Sequence, residues 1–258
     1  MGVGLYMKVV IPVINFIGLE LVYFFYPYLI YPLSIFVVAT TVAYIIKEIR
    51  KEHAQVAAIM ISAVLFLTAH YLLIIFLEGI ILVQGFIFLT SFGLYIFLYS
   101  VHDKYASHKV EHGGSVTYSL ENIIGYFNLA IFFFISVDLF YLHLNSNQKF
   151  FLFLSFFIVG VIALTFSAFD IFSLRSRLAY FYIAILVFVM IEVFWVVSLL
   201  PISVYSQGAL VTLVYYVMLG VSRHYLIFGI KEFTGKIIRR YLVISITGII
   251  LVLFTAKW

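Results

Sequence analysis

The chain contains no cysteine. That excludes disulfides, thiolate nucleophiles and cysteine-ligated metals, and it leaves the redox compartment open. Charge is almost as scarce: Asp, Glu, Lys and Arg make up 10% of the 258 residues, where a soluble domain carries about a quarter. The formal charge of +4 therefore reflects basic loops rather than a polyanion-binding face, and nucleic acid is not expected as a partner. There is no internal repeat, no low-complexity tract and no GxxxG pair of the kind that dimerises membrane helices.

What is present is apolar. Hydrophobic residues make up 66% of the chain, and the mean hydropathy is +1.20. The chain reads as an all-α, polytopic transmembrane helix bundle, a single integral membrane domain over 1–258 with the lipid bilayer as its first partner. A span needs about 20 apolar residues. Nine such stretches are expected, at 9–25, 28–46, 54–77, 79–100, 122–143, 150–172, 178–199, 201–222 and 241–256. Residues 1–8 lack a small-residue cleavage site and run into span after span, so no cleaved signal peptide is expected. The 29 Phe and 20 Tyr are read as lipid-facing bulk and A/T-rich codon usage rather than a quinone or cofactor box.

Lys and Arg set the orientation. With the N-terminus inside, thirteen fall on the inner side, from Lys8 to Arg240, and two outside, Lys149 and Lys257. The bias alternates correctly at every loop, which supports nine spans with the N-terminus in and the C-terminus out. Glu78-Gly79 alone separates the third span from the fourth, so these form an antiparallel hairpin. Pro201 is expected in the first turn of the eighth span. The segment 225–240 mixes apolar residues with Lys and Arg and reads as an interfacial helix.

HKVEH at 108–112 puts His108 and His112 at i and i+4, a spacing that holds a metal when it lies on a helix. The stretch sits in the long polar loop 101–121 beside His102, Asp103 and Gly113-Gly114, and no second histidine box follows. No metal and no cofactor is expected. A rhomboid-like serine between glycines, paired intramembrane glutamates and a sortase-like cysteine are all missing. Retinal needs a mid-helix lysine, and Lys231, Lys236 and Lys257 lie outside the spans.

The informative residues are ionisable groups inside spans. At 1.5 Å per residue, Glu20 lies about 16 Å above the cytoplasmic face, Glu192 about 21 Å, and His70 and Asp138 about 24 Å. Gln84 falls in the same outer half. Glu20, His70, Asp138 and Glu192 are the candidate polar pocket, acidic in character because no Lys or Arg shares their depth. Without a counter-charge, some of these carboxyls would hold protons and act as hydrogen-bond donors. The alternative is that each bonds a neighbouring helix and only supports packing. Glu192 is expected to face the bundle interior, with Phe188 and Trp195 on its own face and Phe194 elsewhere. Arg223 and His224 mark the cytoplasmic boundary, where an arginine snorkels, and Asp170 is read as balancing Arg175 and Arg177.

The stretches EVFWVVSLLPIS, LVYYVMLGVSRHYL, KIIRRYLV and LVLFTAKW, all within 192–258, resemble a group of uncharacterised multispanning proteins of small-genome bacteria. The resemblance implies a cell inner-membrane location and carries no activity or functional residue. Three functions follow from the residues themselves. One is a transporter-like protein or a membrane subunit of a larger assembly, with other membrane proteins as partners. A second is a membrane-embedded enzyme acting on a lipid or prenyl chain, and a third is a structural protein without chemistry. Enzymatic activity is left open, with the balance against it.

Overall fold

In a computed structural model the protein is all-helical among the residues described, which are 2–25, 28–49, 55–106, 120–146, 149–172, 174, 176–232 and 235–255. In chain order the helices are α1 (Gly2–Phe25), α2 (Ile30–Ile49), α3 (Val56–Phe76), α4 (Ile80–Ala106), α5 (Leu120–Asn145), α6 (Phe150–Ile171), α7 (Arg177–Ser198), α8 (Val204–Glu232) and α9 (Gly235–Thr255). Eight are long and apolar enough to cross a membrane. In α9 the apolar stretch among the described residues, Tyr241–Ile250, is shorter. Helices dominate because a chain this apolar must satisfy its own backbone: in lipid each unpaired N–H or C=O costs several kcal/mol, and a helix pairs them within the segment.

The chain divides into two compact units, Met1–Ile131 and Phe132–Trp258. In the first, α1 packs on α4 and α2, and α2 packs on α3. Glu78 and Gly79 make the tight turn between α3 and α4. Gly79 has φ +91°, a left-handed conformation that costs only glycine nothing, and its carbonyl accepts the first α4 hydrogen bond from the Val83 N–H at 3.1 Å. Pro12 lies inside α1, so the Lys8 carbonyl one turn earlier has no N–H to receive there. The Lys8 side chain is buried, with its ammonium 4.3 Å from the centre of the Tyr99 ring on α4.

In the second unit α7 packs on α6 and α8, and α8 on α9. The core is aromatic: Phe194 of α7 stacks on Phe140 of α5 at 4.5 Å and on Phe157 of α6 at 4.3 Å, and Phe132 stacks on Tyr215 of α8 at 4.0 Å. Glycine lets α8 come close to its neighbours, since a Cβ added at Gly208 would lie 2.5 Å from Val137 Cγ2. Small residues at such contacts matter in a membrane, where packing rather than water exclusion holds helices together.

Three boundaries differ from the sequence reading. Helix α8 begins at Val204, and Ser203 caps it by accepting from the Ser206 N–H at 3.2 Å; a capping hydroxyl outcompetes the N-terminal preference of Pro201, which stays outside. The stretch 225–240 is not one interfacial helix. Its first part extends α8 to Glu232 and its last part opens α9 at Gly235. Likewise α4 continues to Ala106, so His102 and Asp103 are helical rather than in a loop. The His102 ring nitrogen lies 2.7 Å from a Glu48 carboxylate oxygen on α2, and the Tyr105 hydroxyl donates to Gln55 at 2.9 Å. These contacts tie the extension down. HKVEH at 108–112 lies outside the described residues.

Candidate functional site

In the first unit several polar groups of the spans are paired across helices. Asn15 of α1 is fully buried between Ser91 of α4 and His70 of α3, with 3.2 Å from its amide nitrogen to the Ser91 hydroxyl and 3.2 Å from its amide oxygen to His70 Nε2. His70 Nδ1 lies 2.7 Å from the Phe66 carbonyl. Both ring nitrogens therefore face oxygens. A protonated ring satisfies that arrangement directly, but an uncompensated buried cation is expensive. A neutral ring satisfies it when the Asn15 amide is turned end for end: Nδ1 donates to the carbonyl, the amide NH2 donates to Nε2, and the Ser91 hydroxyl donates to the amide oxygen. One turn and a half further along α1, half-buried Glu20 accepts from Gln84 of α4 at 3.1 Å. The two pairs, Asn15–Ser91 and Glu20–Gln84, fix α1 and α4 as antiparallel. Ser62 of α3 donates to Asn128 of α5 at 2.8 Å.

Glu20 and His70 thus belong to one set of helices but bond different partners. The sequence reading passed over Asn15, Ser91, Ser62 and Asn128 because it followed ionisable groups. Asn15 carried the missed signal, being an amide inside an otherwise apolar run.

The second unit holds the other two candidates. Asp138 of α5 is 3% exposed, and neither carboxyl oxygen has a hydrogen-bond partner among the described residues. Its helix position repeats at seven residues with buried Ile131 and Ile124, the spacing of a single face. Gln207 of α8, also buried, spends its amide N–H groups on the Leu200 carbonyl at 3.0 Å and the Val197 carbonyl at 3.3 Å, closing the end of α7. Glu192 corrects an expectation: it is exposed. Phe188 and Trp195 do share its face, at 62% and 57% exposure, while Phe194 is fully buried on the opposite one. The periodicity was right and the face was inverted, because Phe194 fills the aromatic core between Phe140 and Phe157 and fixes the rotation of α7.

Arg223 lies over the Phe172 ring at 4.5 Å, at the end of α6, and both Arg223 and His224 are half-buried. Asp170 is buried at that same end of α6 and lines a crevice with Phe169, Leu174 and Tyr180. The crevice holds about one water molecule, too little for a substrate. Among the described residues no three His, Cys, Asp or Glu side chains converge as metal ligands.

The helices define a multi-pass integral membrane protein with polar links between helices in one unit and a buried carboxyl, Asp138, without a hydrogen-bond partner among the described residues in the other. No family model, no curated protein and no solved structure matches the chain.

Proposed function

We propose that the protein is a transporter-like multi-pass protein of a bacterial inner membrane, N-terminus inside, in which Asp138 takes up and releases a monovalent cation, a proton or a sodium ion. The supporting observation is the orphaned carboxyl. A buried hydrogen-bonding group without a partner costs about 1–3 kcal/mol, and more when charged. His70, Asn15 and Glu20, by contrast, each have a partner on another helix. An intramembrane acid that binds its partner only transiently carries that cost as part of its work.

The test is ion flux in liposomes containing the purified chain, under an imposed membrane potential, with separate proton-sensing and sodium-sensing dyes. Wild-type vesicles pass one of the two ions above protein-free vesicles. Asp138→Asn, checked for normal thermal unfolding, loses that flux. Flux of neither ion in wild type, or equal flux in Asp138→Asn, removes the proposal.

A further inference from the structure

A proton and a sodium ion make different demands on a site. A hard metal cation stripped of water needs several oxygens around it, drawn from carboxylates, hydroxyls, amides and backbone carbonyls. A proton needs one lone pair. The surroundings of Asp138 therefore bear on which ion it takes, given the ion-carrying role proposed above, on which this inference rests. Side-chain oxygens do not gather there. Neither carboxyl oxygen has a hydrogen-bond partner among the described residues, so no hydroxyl or amide N–H is bonded to it. The residues one turn to either side on α5 are Phe134, Ile135, Tyr141 and Leu142. Only Tyr141 among them carries a side-chain oxygen, and it is not bonded to the carboxyl. On α8 the candidate is Gln207, whose amide oxygen is also buried and without a partner among the described residues. The contact between Val137 and Gly208 brings Asp138 and Gln207 to one level. They flank that contact on opposite sides. Phe132 meets Tyr215 where Val137 meets Gly208, so α5 and α8 run antiparallel. On antiparallel right-handed helices, the residue after one contact and the residue before the other project to opposite sides of the line joining the axes. Asp138 and Gln207 stand in that relation.

Backbone carbonyls are committed elsewhere. Transporters that bind sodium draw carbonyls from helices that unwind at mid-membrane. Here α5 is helical without a break from Leu120 to Asn145, and α6, α7 and α8 are equally continuous. No proline lies inside any of these four helices, so the carbonyls around Asp138 keep their own N–H donors four residues on. We infer that the ion handled at Asp138 is the proton, taken up and released by the carboxyl without other ligands. A hydronium ion gives its proton to one carboxylate oxygen, leaving a water molecule and a neutral carboxyl. Release to water reverses the step. The loaded group carries no net charge, so it sits in an apolar bundle without the cost of a buried ion.

The test uses the full chain in liposomes under a potassium diffusion potential, in a sodium-free choline medium. Wild type takes up protons faster than protein-free vesicles, at a rate that does not change when sodium replaces choline. Asp138→Asn, checked for normal thermal unfolding, loses the uptake. The exchange of choline for sodium is read on wild type, so that part of the result does not depend on how a variant folds. Sodium uptake by wild type that Asp138→Asn loses overturns the proton assignment and leaves the ion-carrying role of Asp138 standing. So does proton uptake that occurs only when sodium is present. Uptake of neither ion, or uptake unchanged in a normally folded Asp138→Asn, overturns both.

Discussion

Replacing Gly208 by alanine tests the packing of the second unit at its tightest point. The added Cβ lies 2.5 Å from Val137 Cγ2, 3.3 Å from the Val137 backbone nitrogen and 3.6 Å from Phe133. Carbon atoms rest at about 3.5–4.0 Å, so the valine methyl must retreat by about 1 Å. It has little freedom to do so: a valine in a helix is held to one rotamer, Val137 is fully buried, and the backbone nitrogen behind it sets a second limit. Overpacking of this kind costs about 1–3 kcal/mol. Alanine returns about 1 kcal/mol through its better helix propensity. The expected net loss is about 1 kcal/mol, read by reversible unfolding in mixed detergent micelles. Val137→Ala removes the clashing methyl, so the double variant recovers most of the loss attributed to Gly208→Ala. The coupling between the two changes is about 1–2 kcal/mol. A Gly208→Ala variant at least as stable as wild type, with no coupling to Val137→Ala, refutes the contact.

Asn15→Ala strands His70 and Ser91 together, so it lowers unfolding stability by about 1–3 kcal/mol; a silent Asn15→Ala in the same assay removes the α1–α3–α4 polar link. Asp138→Asn breaks no hydrogen bond seen among the described residues, so its midpoint in thermal unfolding is no lower than wild type, and a drop of several degrees exposes a partner that the fold supplies. Single cysteines at Ser107 and Ser146 label from the cytoplasmic and the outer side respectively with an impermeant thiol reagent. Labelling of both from one face of the membrane contradicts the orientation drawn from Lys and Arg.

The helices were legible because each span announces itself by length and hydropathy. The turn at Gly79 was legible because two residues between spans leave no other geometry. Capping and continuity were harder to read. Ser203 and the run through Tyr225 depend on which hydrogen bonds win at a helix end, and composition does not record that. His70 stood out as an intramembrane histidine, but its partner on another helix did not, since Asn15 lies 55 residues away in sequence. Glu192 shows the limit most clearly. The 3.6-residue period gave Phe188 and Trp195 as its companions. Which face of α7 turns inward is decided by Phe194 meeting Phe140 and Phe157, a contact among three helices that no single segment encodes.

The intramembrane acids and histidine meet their desolvation cost in three ways, and the differences say where activity should be sought. His70 and Glu20 are settled within the fold: each has a named partner on another helix, so each holds α1 to its neighbours and has little left to offer a ligand. Asp138 is buried and has no hydrogen-bond partner among the described residues. Glu192 is exposed, on a face of α7 whose neighbours Phe188 and Trp195 are exposed and apolar. Packing explains the first pair completely. It explains neither of the other two, and their needs differ in kind. A buried carboxyl can be met only by something small enough to enter the bundle. An exposed carboxyl carries no such size limit.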